Sequence, residues 1–146
     1  MRITYRGDYA LKTILDLALH YHNSPVTIHN LALRADIPIK FLEQILLDLK
    51  KGGFVESRRG KIGGYMLAKP PSKIKLGQII RFMDGEISPI ACVDNNYKRC
   101  SHISKCAFRS IWQKVADSTS RIVDNITFED LVKKNKNLTS KFTYQI

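Results

Sequence analysis

The chain has 146 residues, with 24 Lys and Arg against 13 Asp and Glu, a formal charge of +11, and 44% hydrophobic residues. That is the size of one compact domain or two very small ones. Apolar runs such as residues 45–47 and 79–80 are broken by charge far short of the roughly 20 residues of a membrane span, which excludes a transmembrane protein. The excess positive charge points to a polyanionic partner.

The opening Met1-Arg2-Ile3-Thr4-Tyr5-Arg6-Gly7-Asp8 has no continuous apolar core and no small-residue cleavage site, so a cytoplasmic protein is expected. Leu11, Ile14, Leu15, Ala18 and Leu19 then fall on one helical stripe, with Asp8 as its expected N-cap and Asn23-Ser24-Pro25 as its end. Thr27 is placed to cap a second helix with the stripe Ile28, Leu31, Ala32 and Ala35, and the chain turns through Asp36-Ile37-Pro38. Pro38 suits the first position of a third helix, expected to bury Phe41, Leu42, Ile45, Leu46 and Leu49. That helix ends in Lys50 and Lys51, at its negative dipole end, before Gly52-Gly53.

Two short strand-like runs, residues 54–58 and 65–68, flank Arg59-Gly60-Lys61-Ile62-Gly63-Gly64 and predict a hairpin closed by Pro70-Pro71. Helix, helix, turn, helix, hairpin is the order of a winged helix-turn-helix. The fold class expected is therefore mainly α with a small β-hairpin wing, followed by a long C-terminal dimerisation helix. Leu76, Ile79, Ile80 and Met83 predict a fourth helix ending at Asp84-Gly85. After an aperiodic stretch over residues 86–106, Phe108, Trp112, Val115, Thr119, Ile122 and Ile126 repeat as a heptad seam that wants a partner helix. Thr127 and Asp130 cap a last short helix through Val132, and residues 133–146 read as a frayed polar tail. The division expected is a winged helix-turn-helix over 1–72, a sensor loop and dimerisation helix over 73–132, and the tail over 133–146.

Between Lys50 and Lys75 stand eight basic residues and one acidic residue, Glu56, so most of the net charge lies around the end of the third helix and the hairpin. Lys50, Arg58, Arg59 and Lys61 are candidate phosphate contacts, and Gly60, Gly63 and Gly64 are read as leaving the hairpin tip slim enough for a groove. The N-terminal half of the third helix offers Lys40, Glu43 and Gln44 to base edges. Thr27 and Tyr65 complete the candidate DNA-binding set. There is no nucleophile-base arrangement and no phosphate-binding loop between strand and helix, so no enzyme and no small-molecule substrate are expected.

Cys92, Cys100 and Cys106 are spaced C-x7-C-x5-C. Three thiols in fifteen residues read as ligands lacking a fourth: iron–sulfur ligation is the reading taken forward, with redox thiols or structural zinc, which usually shows an absent C-x2-C knuckle, as alternatives. His102 lies among them as a further candidate ligand.

The opening Met1-Arg2-Ile3-Thr4, the segments Asp8-Tyr9-Ala10-Leu11 and Leu15-Asp16-Leu17-Ala18, the run Phe41-Leu42-Glu43-Gln44-Ile45-Leu46, and above all Arg59-Gly60-Lys61-Ile62-Gly63-Gly64-Tyr65-Met66-Leu67-Ala68 resemble the Rrf2 family of winged-helix regulators. The resemblance runs from Met1 to about Thr127. It implies a homodimer, crossed through the long C-terminal helix, that binds a palindromic double-stranded operator with the third helix in the major groove and the wing in the minor groove. It also implies a repressor whose DNA binding is modulated by an iron–sulfur cluster, 4Fe-4S slightly preferred to 2Fe-2S, on Cys92, Cys100 and Cys106. Cluster-holding members use an extra ligand: a histidine three positions past the last cysteine, where this chain has Arg109, or an N-terminal aspartate of the other subunit, which Asp8 matches. This chain has seven residues, where those members have five, between the first two cysteines. The alternative within the family is a cluster-free regulator acting by thiol oxidation or through a protein partner.

Overall fold

The structure, a computed structural model, describes residues 1–143. Helix α1 spans Tyr5–Leu19, α2 Ile28–Ala35 and α3 Ile39–Lys51; strands β1 (Val55–Arg58) and β2 (Gly64–Leu67) form the hairpin; α4 is Leu76–Asp84, α5 Arg109–Asp124 and α6 Phe128–Thr143. This is a mainly helical winged helix-turn-helix with a two-stranded antiparallel wing, in the order expected. Val55 pairs with Leu67 and Arg58 with Gly64, so the turn lies over residues 59–63.

Helix α1 starts earlier than its apolar stripe indicates. Its N-cap is Thr4, whose hydroxyl accepts from the Gly7 amide at 3.0 Å, and Asp8 lies inside the first turn. The buried face of α1, including Ala10, Ile14 and Leu17, meets Leu31 of α2, Leu42, Ile45, Leu46 and Leu49 of α3, and Ile79 of α4 in one core. The same core takes Val55 and Leu67 from the wing. Asp16, buried on α1, accepts two bonds from Arg34 of α2 at 3.0 and 2.7 Å, so its charge is paired where it is desolvated.

Phe41 is 62% exposed, not buried as its place in the apolar stripe indicates: it sits at the edge of α3 against Tyr9, with ring centroids 6.3 Å apart. Pro38 stands one residue earlier than expected, as the N-cap of α3. The seam is also shorter than the heptad spacing indicates, because α5 begins after Phe108 and ends before Ile126. One face of α5 presents Ala116 and Val123 to the body, Val123 packing with Ile80 and Ile87. Phe108, Ile111, Trp112, Val115 and Ile122 remain exposed on α5 and its cap.

Helix α6 corrects the expectation of a frayed tail. The reciprocal cap of Thr127 and Asp130 is present, but the helix continues to Thr143, with hydroxyl back-bonds from Thr139, Ser140 and Thr143 to carbonyls one turn earlier. The sparse stripe Leu131, Asn135, Leu138 and Phe142 keeps helical spacing through the polar composition. Residues 144–146 of the expected tail lie outside the described residues. At the start of α6, Phe128 is fully buried in the main core, a burial worth about 3 kcal/mol. The Phe128 amide donates to the Ile74 carbonyl at 2.9 Å, closing the chain back onto its N-terminal half.

An Arg81–Asp124 pair, at 2.6 and 3.0 Å, clamps α5 to α4, and a Cβ at Gly77 would come within 2.1 Å of the Asp124 carboxylate. Hydrogen bonding from Arg81 draws the Asp124 carboxyl below its ordinary range, against a smaller opposing effect of burial. A carboxyl depressed in the folded state stabilises the fold above its unfolded pKa, and that contribution is lost as pH falls through the folded value. Asp124 is 41% exposed, so the pair is worth at most about 1 kcal/mol. Asp124→Asn should therefore lower the melting temperature by about 1–3 °C at neutral pH. Thermal denaturation should show the gap closing only below the ordinary carboxylate range.

Candidate nucleic-acid interface and cysteine loop

The candidate reading surface is built on α3. With Leu42, Ile45, Leu46 and Leu49 turned into the core, Lys40, Glu43, Gln44, Leu47, Lys50 and Lys51 are left exposed on the opposite side. Among the described residues, Lys40, Glu43, Arg58, Arg59 and Lys61 form no ion pair. Gln44 reaches Asp48 only at 3.4 Å, a long contact that leaves its amide available. Lys50 is engaged: its ammonium donates to Ser57 Oγ at 2.6 Å and ties the end of α3 to β1. Leu47, 52% exposed, falls in line with Lys40, Gln44 and Lys51. The 4-3-4 spacing of these four residues could have found it in the sequence.

The wing glycines divide into two kinds. Gly60, at φ +115°, has open space around it at the tip. Gly63 and Gly64 serve the hairpin's own backbone: a Cβ would lie 2.6 Å from the Arg58 carbonyl oxygen at Gly63 and 2.5 Å from the Val26 carbonyl oxygen at Gly64. The crowding at Gly64 exists because β2 has a second neighbour. Tyr65 and Val26 exchange backbone bonds at 2.8 and 2.9 Å, so the segment before α2 joins the wing. Thr27, next in the chain, is exposed and caps α2 by accepting from the Asn30 amide at 3.3 Å. Gly63 and Gly64 thus meet a demand for close backbone approach beside the slim-tip reading, and sequence cannot separate the two. Ile62, between Lys61 and Gly63, is 74% exposed at the wing tip, where no apolar periodicity marks it in the sequence.

Two further contacts aim the surface. Arg6 of α1 is ion-paired with Asp48 of α3. Thr4, Tyr5, Tyr9, Phe41 and Gln44 line an apolar groove of about 560 Å³ between the same helices. Neither follows from any local pattern, since the partners are more than thirty residues apart.

The cysteines lie in the irregular segment between α4 and α5. Cys92 is in a 3-10 turn over Ala91–Val93, anchored by the buried Val93, and Cys106 follows a second turn over Ile103–Lys105, close before α5. Cys92 and Cys100 are half-buried, Cys106 is exposed, and all three are free thiols. Arg109, the first residue of α5, donates to the Cys92 carbonyl at 3.3 Å and so joins the start of the loop to the start of α5. His102 is exposed beside the second turn. Asp8 is on α1, where it pairs with Lys12 at 2.7 Å and lines a groove with Arg2, Ile3 and Leu11; hydrogen bonding to Asp8 raises the Lys12 pKa.

Among the described residues no three His, Cys, Asp or Glu side chains gather at one point. The donor set fits an iron–sulfur cluster in kind, as three unbridged thiols on a loop without regular structure. One chain alone does not bring these thiols together around a centre.

The wing generates a prediction with two arms. Arg59→Ala should weaken DNA binding and lower the salt slope by about one, as loss of one phosphate contact does, without changing the melting temperature. Gly64→Ala, which forces a Cβ against the Val26 carbonyl, should destabilise the fold by about 2 kcal/mol. Binding titrations at several salt concentrations and thermal denaturation separate the two effects.

The family profile described as "Rrf2: Iron-dependent Transcriptional regulator" matches residues 3–134. An rrf2-like HTH-type transcriptional regulator of Rhodobacter capsulatus is 38% identical over 137 residues, covering 89% of this chain and 91% of the relative. The HTH-type transcriptional regulator IscR of Pectobacterium carotovorum is 33% identical over 136 residues, covering 93% and 82%. Among solved structures, T. potens IscR matches with TM-score 0.74 and 33% identity over 92% of this chain and 88% of that one. CymR, titled the global cysteine regulator of B. subtilis, matches with TM-score 0.77 and 29% identity over 92% and 98%. The described residues contain no helix long and apolar enough to cross a membrane. A winged helix-turn-helix carrying an unpaired basic wing, matched over nearly its whole length by this profile, places the chain in the Rrf2 family of DNA-binding transcriptional regulators.

Proposed function

We propose that this regulator is a cytoplasmic homodimeric repressor whose affinity for a palindromic operator is set by an iron–sulfur cluster on its cysteine loop. The observation that carries the reading is the position of the three free thiols: they lie in the stretch between α4, which packs on the core of the winged helix-turn-helix, and α5, whose apolar seam is exposed among the described residues. The likeness to IscR supports it. Cys92, Cys100 and Cys106 are the residues that would hold the cluster, with the partner's Asp8 as a further oxygen ligand. When bound, such a cluster supplies thiolate–iron bonds that oxidants and nitric oxide break.

In this reading Lys40, Glu43 and Gln44 meet base edges, while Thr27, Lys50, Arg58, Arg59, Lys61 and the backbone at Gly60 and Tyr65 meet phosphate and sugar. Arg109, bonded to Cys92 and opening α5, carries the loop's conformation into the dimer helix. A two-fold axis through α5 makes the operator palindromic. The exposed seam also generates a prediction: Val115→Asp combined with Ile122→Asp should give monomers or insoluble protein. Sedimentation of a folded wild-type monomer at micromolar concentration would overturn the dimer.

The cluster is tested with anaerobically purified protein, which should absorb in the visible and contain iron and sulfide. Its operator affinity should differ at least tenfold, about 1.4 kcal/mol, from that of the chelator-stripped form. Cys92→Ala, Cys100→Ala and Cys106→Ala should each abolish the absorption. Equal affinities of the two forms at one salt concentration would favour the second reading, a cluster-free regulator acting by thiol oxidation or through a protein partner. The match to CymR and the separation of the thiols in one chain speak for that reading.

A further inference from the structure

Asp84 breaks a rule of its own helix. It is the last residue of α4, where a negative charge opposes the helix dipole, and among the described residues it pairs with no cation. Its partners are on α1. The carboxylate accepts from the Thr4 amide at 3.0 Å and from Thr4 Oγ1 at 2.5 Å, while the same Thr4 hydroxyl oxygen accepts from the Gly7 amide at 3.0 Å. Asp84 is thus badly placed for α4 and well placed for the positive end of α1. Gly7 breaks a second rule, since glycine inside a helix costs about 0.5–1 kcal/mol relative to alanine. The same contact accounts for it: a Cβ at Gly7 would lie 2.2 Å from Asp84 Oδ2. Two locally unfavourable residues therefore meet at one clasp.

The clasp has a continuation. Arg6, between Thr4 and Gly7, is ion-paired with Asp48 of α3, whose side chain is only 15% exposed, and Tyr9 one turn on packs against Phe41. Asp48 stands one turn from Gln44 and next to Leu47, at the edge of the exposed face of α3. At the other end, Asp84 is followed by Gly85, at φ +86°, and then by the cysteine loop. We propose that Asp84 is a positioning residue for the DNA-reading surface: through Thr4 and Gly7 it fixes the first turn of α1, and through Arg6 and Asp48 that turn sets the placement of α3. The inference rests on the DNA-binding reading and adds the route by which the cysteine loop reaches α3. Its physical basis is the hydrogen-bonded clasp at the first turn of α1 and one ion pair from that turn to α3, joined by the backbone between Thr4 and Gly7.

The test uses the full chain, a duplex enriched by the wild-type protein from a random-sequence pool, and an unrelated duplex of equal length. Asp84→Ala should lower affinity for the enriched duplex about tenfold, leaving affinity for the unrelated duplex and the salt slope as in the wild type. Asp84→Asn, which keeps an acceptor for the Thr4 amide, should fall between. Gly7→Ala should reproduce the loss by displacing the carboxylate, and in the Asp84→Ala background it should add nothing, because the group it displaces is gone. Thr4→Val reaches the same link with Asp84 in place, and its loss of discrimination is expected even if Asp84→Ala does not fold. An unchanged ratio of the two affinities in folded Asp84→Ala or Thr4→Val overturns the proposal, as does a Gly7→Ala effect that multiplies with Asp84→Ala. A wild-type protein that enriches no sequence removes the DNA-binding reading itself, and the inference with it.

Discussion

The burial of α1 is the constraint on which the other elements depend. Its apolar residues meet α2, α3, α4 and the start of α6, and no two of those elements could keep their present relation if α1 shifted between them. Interiors pack densely enough that a helix held on several sides has one position, not a range of positions. The polar bonds of α1 reinforce this. Asp16 grips Arg34 of α2, Arg6 grips Asp48 of α3, and the Thr4 cap is gripped by Asp84 of α4. A helix carrying no candidate base contact therefore decides where the helix with the candidate base contacts stands.

The wing shows how a basic surface is aimed by neutral groups. Lysine and arginine charges attract phosphate from any orientation, so charge alone gives affinity without register. Register comes from the backbone bonds between Val26 and Tyr65, from Lys50 reaching Ser57, and from the absence of side chains at Gly63 and Gly64 where backbones approach. The wing is thereby fixed to the segment entering α2 and to the end of α3. Helix-turn-helix and wing move together as one reading head.

The C-terminal half binds itself to that head by three separate means. Phe128 fills the main core, the Ile74 and Ile126 carbonyls accept the bridging amides of Phe128 and Leu76, and Arg81 holds Asp124. Helix α5 is consequently secured near its C-terminal end, while its N-terminal end emerges from the cysteine loop and is held to it by Arg109. A change in the loop acts on the less restrained end of a long helix.

Helical periodicity, caps and turn residues were enough to read α2, α3, the hairpin and α4 from the sequence, because each is specified by residues within a few positions of one another. Thr27, the reciprocal cap at Thr127 and Asp130, and the stop at Gly85 are local chemistry and were legible as such. The net charge and its concentration at the wing determined the class of partner, and the three cysteines determined the kind of chemistry available. Other features depended on contacts between distant segments. The Thr4 cap of α1 is joined by Asp84, eighty residues away. Phe41 turned outward because its edge of α3 faces Tyr9 and not the core. The length of α6 is not legible in the sequence because its apolar positions are too sparse to outweigh its polar composition. The sequence by itself determined which basic side chains and which thiols the chain has to offer, since that is a property of side-chain type and spacing. Only the tertiary structure decided how those groups are aimed, since Arg6, Asp48, Asp84 and Gly7 acquire their roles solely by meeting in space.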